Sequence, residues 1–310
     1  MGNDNAPAIA MSKDHVRIVE VGPRDGLQNE PIPVPTATKI ELIAQLVAAG
    51  HTAVEATSFV SPKWVPQMAD ASEVYRGIAK PAGVAFPVLV PNLQGLERAL
   101  EVGVREVAVF GAASEAFSRR NINASIEESL ARFEPVMARA QEAGVRVRGY
   151  VSTVLGCPYQ GEVPLADVVR VASRLHAMGC YEISLGDTIG VGTPKRAREM
   201  LQAVAGSVPM SALAVHFHDT YGQALANVLS CLEAGVRVAD AAIAGLGGCP
   251  YAAGASGNLA SEDLVYLLQG LGLECGIDLP SLVQTGRWIS AELGRENGSK
   301  VGRALKLANA

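Results

Sequence analysis

The 310-residue sequence contains no apolar run close to the roughly 20 residues that a membrane-spanning helix requires, so we expect no contact with a membrane. It also lacks any Cys-x-x-Cys pair, and its five scattered cysteines exclude the usual zinc-binding spacings and indicate a reducing compartment. Basic residues are not in excess, since 26 Lys and Arg against 31 Asp and Glu give a net charge of −5. This balance argues against nucleic acid as the main partner.

Recognisable targeting signals are missing as well. Residues 1–14 have neither the apolar core of a secretory signal nor an Arg-rich, acid-free composition, and they are predicted to form a short disordered lead-in. The last residues carry no lipidation or peroxisomal signal. We therefore expect a cytoplasmic protein. Residues 15–310 are expected to form a single domain.

From residue 15 onward, short apolar segments alternate with longer amphipathic segments, which is the pattern of repeated βα units. Strands are predicted near 16–22, 52–58, 83–90, 105–111, 145–152, 180–186, 212–218 and 238–245. Helices are predicted near 36–49, 66–79, 92–102, 125–143, 165–178, 194–206, 222–234 and 261–271. This strict alternation predicts an α/β fold of the (β/α)₈ TIM-barrel type, with an extra C-terminal helical segment near 279–294. A doubly wound open sheet is the alternative architecture.

The seventh predicted strand ends in two histidines separated by one residue. Alternate side chains of a β-strand share a face, so His216 and His218 point the same way and Phe217 points to the opposite face. Neutral imidazole is a common metal ligand, and the pair is therefore interpreted as half of a divalent-metal site. Two hydrogen-bonded structural histidines are the alternative interpretation.

Polar side chains also follow the ends of other predicted strands. A (β/α)₈ barrel carries its active groups at the C-terminal ends of the strands and in the loops after them, so these side chains are expected to share one rim. They are Arg24, Asp25 and Gln28 after the first strand, Glu55 on the second, Asp187 and Thr188 at the sixth, and Cys249 and Asn258 in a glycine-rich segment after the eighth.

Two of these carboxylates have a purely structural alternative. Asp187 could cap the loop that follows it, and Asp25 could form only an ion pair with Arg24 inside one turn. Glu55 is flanked by apolar residues and is expected to pair with Arg24, because a buried carboxylate needs a partner.

The expected ligands of the metal are Asp25, His216, His218 and the amide oxygen of Asn258. Two oxygens and two imidazoles without a thiolate favour a six-coordinate Mg²⁺ or Mn²⁺ with open positions over a structural four-coordinate zinc. Cys249 has no predicted strand or helix around it, which indicates an exposed thiol, although an inert small residue is the alternative. No G-x-x-x-x-G-K pattern accompanies the glycines, so a nucleotide phosphate loop is disfavoured.

Four segments together resemble the 3-hydroxy-3-methylglutaryl-CoA lyase family across about residues 15–305. They are Gly22-Pro-Arg-Asp-Gly-Leu-Gln-Asn-Glu30, Phe110-Gly-Ala-Ala-Ser114, Leu185-Gly-Asp-Thr-Ile-Gly-Val-Gly-Thr-Pro194 and the stretch from Gly245-Leu-Gly-Gly-Cys-Pro-Tyr251 to Asn258. The cysteine loop is the most specific of the four, because related barrel lyases and synthases share the Arg-Asp turn and the His-x-His pair but not this loop.

The resemblance implies a homodimer that cleaves 3-hydroxy-3-methylglutaryl-CoA into acetyl-CoA and acetoacetate, as in leucine degradation and ketone-body formation. It also implies a divalent cation on the four ligands already named. Arg24, held by Glu55, would stabilise the departing thioester enolate, and Cys249 would protonate the enolate carbon as general acid. The general base stays open between Asp25, a hydroxide supplied by the metal and a histidine not fully committed to the metal.

The resemblance further places Glu262, Asp187, Thr188 and Gln28 behind the ligands or against the substrate. Pro31 stands where some members have a lysine, and Phe217 stands where some have a cysteine. No cysteine follows Cys275, so regulation through a C-terminal thiol is not expected. The basic residues Lys63, Arg119 and Arg120 are the candidates for contacts with the phosphates of CoA.

Three other functions are weighed against this one. A related barrel aldolase or an acyl-CoA condensing synthase acting on a 2-oxo acid would not need Cys249 as an acid. A metal-dependent hydrolase would need further histidines near the pair, and the remaining three are predicted away from the rim. A catalytically silent scaffold would have no use for the complete set of rim residues.

Overall fold

The computed structural model describes residues 14–248 and 257–306, so the predicted acid Cys249 and all of the predicted lead-in 1–14 except its last residue lie outside the described part. Its eight parallel strands are β1 (Arg17–Glu20), β2 (Thr57–Ser58), β3 (Val88–Leu89), β4 (Glu106–Ala112), β5 (Arg146–Ser152), β6 (Glu182–Asp187), β7 (Leu213–Phe217) and β8 (Val238–Ala241). Neighbouring strands follow the order β1-β8-β7-β6-β5-β4-β3-β2. A parallel bridge between Glu20 and Val54 brings the first strand beside the second, which confirms the predicted (β/α)₈ barrel.

Each strand is followed by at least one helix. The helices are α1 (Thr36–Ala48), α2 (Ala71–Gly77), α3 (Leu93–Glu101), α4 (Glu115–Ile122), α5 (Ile126–Glu142), α6 (Leu165–Ala177), α7 (Pro194–Ala205), α8 (Ala224–Glu233), α9 (Ser261–Gly270), α10 (Leu279–Glu292) and α11 (Lys300–Ala304). The helix α10 is the extra C-terminal segment predicted near 279–294, and the short α11 lies beyond it and was not predicted. None of the helices in the described ranges combines the length and the apolar character needed to cross a bilayer.

Local chemistry explains where the helices begin and end. At the start of α5, Ser125 accepts a hydrogen bond from the Glu128 N–H at 3.1 Å, and the Glu128 carboxylate accepts one from the Ser125 N–H at 2.7 Å. This reciprocal pair satisfies two N–H groups that the helix itself leaves free. After α1, Gly50 adopts φ +108°, and a side chain there would place its Cβ 2.3 Å from the Gly276 carbonyl oxygen, so only glycine fits.

Two predicted strands are shorter than expected. The stretches 52–58 and 83–90 contain only the two-residue strands β2 and β3, although Ala53 and Ala85 still form a single parallel bridge. Pro87 lies between that bridge and β3 and has no N–H to donate, so the ladder is interrupted there. Conversely, the eight-residue helix α4 was not predicted; it begins where the Ser114 hydroxyl accepts a hydrogen bond from the Phe117 N–H at 3.1 Å.

The interior of the barrel is polar near its centre. Arg148, Glu182 and Asp240 point inward from three strands and are nearly inaccessible to solvent. Arg148 donates through Nε to Glu182 Oε1 and through Nη2 to Asp240 Oδ1, both at 2.7 Å. Because buried charges are tolerated only when they are paired, this network forms a fixed polar layer beneath the C-terminal rim.

Candidate active site

The first loop after β1 winds into a single π-helical turn, Gly22–Gly26, which directs Arg24 and Asp25 into the barrel mouth. The guanidinium of Arg24 donates through Nε to Glu55 Oε2 at 2.7 Å and through Nη1 to Asp25 Oδ1 at 2.6 Å. Glu55 is fully buried on the second strand segment, and the Tyr150 hydroxyl also donates to its Oε2 at 3.2 Å. The expected pairing of Arg24 with Glu55 is therefore present, and further N–H donors of the fork remain for a substrate oxygen.

His216 and His218 occupy the end of β7 and the residue after it, and both imidazoles face the same cavity. Their ring centres are 5.4 Å apart, and each residue is only 8% exposed. Phe217 between them is buried on the other face of the strand, as the alternation requires. The strand thus presents two imidazoles side by side at the rim.

Asn258 joins the histidines through the backbone. Residues 257–259 pair with the end of β7, because the Asp219 N–H donates to the Gly257 carbonyl and the Leu259 N–H donates to the Phe217 carbonyl, each at 3.1 Å. This pairing brings the side-chain amide of Asn258 within 2.8 Å of Asp25 Oδ2, to which its Nδ2 donates. The sequence analysis placed both side chains in one ligand set, although 233 residues separate them in the chain.

Asp25, His216 and His218 form a cluster that can hold one metal ion. One ligand atom from each of these residues lies within 4.8 Å of the other two. Asp25 Oδ2 lies 3.9 Å from His216 Nε2 and 4.0 Å from His218 Nε2. Asn258 Nδ2 donates to Asp25 Oδ2 and also to the Leu246 carbonyl at 3.1 Å, so its oxygen would face the cluster only after a half-turn of the amide. The residues present therefore fit a divalent cation.

The electrostatics of the cluster favour the forms that bind cations. Burial alone would raise the pKa of Asp25, but Arg24 and the two imidazoles outweigh it and lower the pKa to about 2. Burial, with His216 as its neighbour, lowers the pKa of His218 to about 4. Near neutral pH the cluster thus offers an ionised carboxylate and a neutral imidazole, which are the protonation states of metal ligands.

The metal cluster opens into a cavity of about 1080 Å³. Gln28 and Thr188 line it, as the sequence analysis expected for residues near the substrate. Arg120 and Arg132 lie at its wall, whereas Lys63 and Arg119 are not among the lining residues of the described part. Arg120 also stacks over the ring of Tyr159, with its guanidinium carbon 4.5 Å from the ring centre.

Besides Glu55 and Asn258, the predicted site residues Asp187 and Glu262 do not line this cavity. Asp187 is fully buried and accepts hydrogen bonds from the N–H groups of Val191 at 3.2 Å and Gly192 at 2.7 Å. Its carboxylate therefore caps the turn after β6, which was the structural alternative. Glu262 is also fully buried and accepts a hydrogen bond from the Ala244 N–H at 2.9 Å. Both residues support the rim from behind rather than facing the substrate.

The segment that leads toward Cys249 is held by two buried glutamates. Glu20 Oε1 accepts a hydrogen bond from the Ile243 N–H at 2.9 Å, directly beside the contact of Glu262 with Ala244. Ala244 has φ +54°, a conformation that costs free energy for any residue with a side chain and persists only where the surroundings hold it. The sequence analysis missed Glu20. The available signal was its position as the single acidic residue at the end of an apolar strand.

Replacing Glu262 with glutamine is expected to weaken the pH dependence of stability. Burial raises the pKa of Glu262 from its ordinary 4.5 to about 8. The folded state therefore binds a proton that the unfolded state has already lost, and stability falls as the pH rises from about 4.5 through 8. Calorimetry at pH 6, 7.5 and 9 should show a smaller decrease of Tm in Glu262→Gln than in the wild type.

The exposed Glu292 near the end of α10 provides the control for this experiment. Glu292→Gln should leave the wild-type pH dependence of Tm unchanged. Buried Glu20, whose pKa is raised to about 7 mainly by burial, remains in both variants, so Glu262→Gln should reduce the slope without abolishing it. Identical slopes in the wild type and Glu262→Gln would contradict the assignment of the titrating group.

Comparison with curated proteins corrects one expectation. The chain is 61% identical to hydroxymethylglutaryl-CoA lyase, mitochondrial, of cattle over 93% of this chain and 89% of that protein. A mouse relative named as cytoplasmic is 57% identical over 94% of this chain and 85% of that protein. The more similar relatives are mitochondrial, so the expectation of a cytoplasmic protein is wrong. The cytoplasmic expectation rested on the absence of recognisable targeting signals and on the spacing of the cysteines. The barrel residues that this chain shares with its relatives carry no information about the cellular compartment.

Solved structures agree with the fold and with the family. Hydroxymethylglutaryl-CoA lyase of Pseudomonas aeruginosa superposes with a TM-score of 0.92 at 59% identity, covering 94% of this chain and 97% of that one. An HMG-CoA lyase of Acinetobacter baumannii in complex with coenzyme A and 3-methylmalate gives a TM-score of 0.91 at 38% identity, over 96% of this chain and 97% of that one. The HMGL-like family model matches residues 15–289, nearly the whole described barrel, and this chain therefore belongs to the HMGL-like family.

Proposed function

We propose that this chain is a divalent-metal-dependent carbon–carbon lyase that cleaves 3-hydroxy-3-methylglutaryl-CoA into acetyl-CoA and acetoacetate. Identity of about 60% to curated lyases of this name over 93% of the chain supports the substrate and the reaction. The observation that carries the proposal is the convergence of Arg24 with the cluster of Asp25, His216 and His218 at one cavity. A metal site beside a paired arginine suits a reaction that builds negative charge on two oxygens.

The reaction breaks the bond between the tertiary carbinol carbon and the CH₂ group next to the thioester. The hydroxyl proton leaves, the oxygen's electron pair forms the ketone of acetoacetate, and the electrons of the broken bond become the thioester enolate. A proton then adds to the enolate carbon and gives acetyl-CoA. The protein must therefore stabilise an alkoxide and an enolate and must supply one proton at carbon.

The proposed metal ligands are Asp25, His216, His218 and Asn258, with Mg²⁺ or Mn²⁺ as the ion because the set contains no thiolate. When bound, the divalent cation supplies Lewis acidity that lowers the pKa of the substrate hydroxyl and orients it. Asp25 is proposed as a ligand and not as the general base, because its low pKa makes the carboxylate a poor proton acceptor. The chain's own contribution here is to hold the hydroxyl end of the substrate at a fixed place.

Arg24 is the proposed partner of the enolate oxygen. Burial alone would lower the pKa of its guanidinium, but Glu55 and Asp25 outweigh it, and the pKa lies above its ordinary value. The side chain is therefore a permanent cation whose position is set by hydrogen bonds to Glu55 and Asp25. A charge that is already in place costs little reorganisation when the enolate forms. Glu55 acts through Arg24 and does not need to touch the substrate.

Cys249 is the proposed general acid that protonates the enolate carbon. Its placement lies outside the described residues, but Gly248, the residue before it, lines the cavity. The Gly248 carbonyl also accepts a hydrogen bond from Asn29 Nδ2 at 3.3 Å, so the start of the loop is attached to the first rim turn. Cys249 is therefore the next residue in the chain after one that lines the cavity of the metal cluster.

Cys249→Ala is expected to lower kcat about 10²-fold while leaving metal affinity unchanged, because the thiol delivers a proton and is not a ligand. Acetoacetate release gives kcat, and titration calorimetry with Mn²⁺ gives the affinity. The control is Cys275→Ala. Cys275 is half-buried and follows Glu274, which forms a bridge with His15, and its substitution should keep wild-type kcat. Unchanged turnover in Cys249→Ala would remove the assigned acid.

The proposed function is tested by mixing the protein with 3-hydroxy-3-methylglutaryl-CoA and measuring acetoacetate. Release should occur with Mg²⁺ or Mn²⁺, stop with EDTA and resume when excess metal is returned. In parallel, the protein is incubated with acetyl-CoA and a 2-oxo acid. Condensation in this second reaction without acetoacetate release in the first would favour the synthase or aldolase alternative.

We further propose that residues from 15 onward form one domain and that the chain acts as a homodimer in leucine degradation. The single barrel with its attached C-terminal helices supports the one-domain arrangement. Analytical ultracentrifugation of the purified chain tests the dimer, for which a species of twice the 32.3 kDa chain mass is expected.

A further inference from the structure

The two histidines of the metal cluster differ in what lies behind them. His216 Nδ1 lies 3.1 Å from Asp240 Oδ2, whereas the buried Nδ1 of His218 has no hydrogen-bond partner in the described part of the chain. Both Nε2 atoms face Asp25 at similar distances. The difference therefore lies on the far side of the rings, where only His216 is backed by a carboxylate.

Asp240 is itself fixed from several directions. Arg148 donates through Nη2 to Oδ1 at 2.7 Å and through Nη1 to Oδ2 at 3.1 Å, and the Ser184 hydroxyl donates to Oδ2 at 2.8 Å. The carboxylate is thus ionised and can only accept hydrogen bonds.

The contact of Asp240 with His216 is built into the sheet. The two residues are register partners on the neighbouring parallel strands β7 and β8, so no loop has to close to bring them together. Because Asp240 only accepts, the hydrogen bond requires the proton of neutral His216 to sit on Nδ1. The lone pair of Nε2 is then free and faces Asp25.

We propose that Asp240, held by Arg148, is a positioning residue that fixes the tautomer and orientation of His216 and so strengthens the metal site. The metal part of this inference rests on the proposed function, but the tautomer part concerns the protein alone. Carboxylates behind ligating histidines raise the basicity of the imidazole, and their loss typically weakens metal affinity 10- to 100-fold. The sequence analysis assigned no role to Asp240 or Arg148.

The first test uses the wild-type protein without metal, labelled with ¹⁵N in histidine and studied by NMR at pH 8. His216 is expected as the pure Nδ1–H tautomer, with its signals assigned by comparison with His216→Gln. A wild-type His216 that carries its proton on Nε2 would overturn the proposal. This measurement needs no variant of Asp240, so it holds even if such a variant does not fold.

The second test compares Asp240→Asn with Glu182→Gln. Glu182 is the other carboxylate paired with Arg148, so its substitution removes one charge from the same buried network without touching His216. Calorimetric titration with Mn²⁺ should show affinity weakened 10- to 100-fold in Asp240→Asn and unchanged within threefold in Glu182→Gln. The Asp240→Asn spectrum should also show a mixture of His216 tautomers.

The outcomes separate this proposal from the proposed function. Wild-type Mn²⁺ affinity with an unchanged Nδ1–H tautomer in Asp240→Asn would overturn the positioning role, whatever the protein catalyses. Equal weakening in both variants would also overturn it, because the effect would then follow from loss of buried charge. A wild-type protein that shows the predicted metal and tautomer results but releases no acetoacetate would refute the lyase function alone.

Discussion

Arg24→Lys is expected to lower kcat for acetoacetate release about 10³-fold in a protein that still folds, because the loss of a preorganised donor to a developing oxyanion has effects of this size. Lysine keeps the positive charge between Glu55 and Asp25, so neither carboxylate is left without a counter-charge. It loses the planar fork, which donates to Glu55 Oε2 at 2.7 Å and to Asp25 Oδ1 at 2.6 Å and still has N–H groups for the substrate. An ammonium group cannot satisfy both carboxylates and the enolate oxygen with the same geometry.

The measurement is steady-state kinetics with 3-hydroxy-3-methylglutaryl-CoA, together with Mn²⁺ titration. KM is expected to change much less than kcat, because Arg24 is assigned to charge that develops during the reaction. Arg198→Lys is the matched control, since Arg198 pairs with Glu233 and Ser230 on the outer helices α7 and α8. A tenfold or smaller loss in Arg24→Lys would show that the guanidinium does not hold the enolate.

Local patterns of the sequence were sufficient to predict the barrel and several contacts at its rim. The alternation of apolar and amphipathic segments identified all eight strands, and the Arg24–Glu55 pair followed from the cost of burying an unpaired carboxylate. The shared face of His216 and His218 follows from the two-residue period of a strand. In each case the physical cause lies within a few residues or in a general cost of burial.

The features that were missed depend on contacts between distant strands. Asp240 meets His216 because β7 and β8 pair in one particular register, and no local pattern of the sequence states that register. The placement of Glu262 likewise depends on a contact with the Ala244 N–H, 18 residues earlier in the chain, whereas the cap formed by Asp187 is local and was the structural alternative of the sequence analysis. Helix α4 was missed because eight residues are too few for a clear amphipathic period.

Asp25→Asn is expected to weaken Mn²⁺ affinity at least 10²-fold and to abolish acetoacetate release at micromolar metal. Asp25 is the only charged member of the proposed ligand set, and its pKa of about 2 keeps it ionised throughout the neutral range. Asparagine preserves the size of the side chain and an acceptor for Arg24 but removes the negative charge. Millimolar Mn²⁺ should therefore restore part of the activity by mass action.

Asp219→Asn is the control, since Asp219 lies on the same rim one residue after His218. Its carboxylate caps α8 by accepting a hydrogen bond from the Ala224 N–H at 3.0 Å and pairs with Lys300 at 3.4 Å. Its substitution removes the same charge from the rim, so long-range electrostatics alone would make the two variants equivalent. Wild-type metal affinity in Asp219→Asn with a large loss in Asp25→Asn would identify direct ligation as the cause. Mn²⁺ affinity within threefold of wild type in Asp25→Asn would instead mean that the cation binds elsewhere.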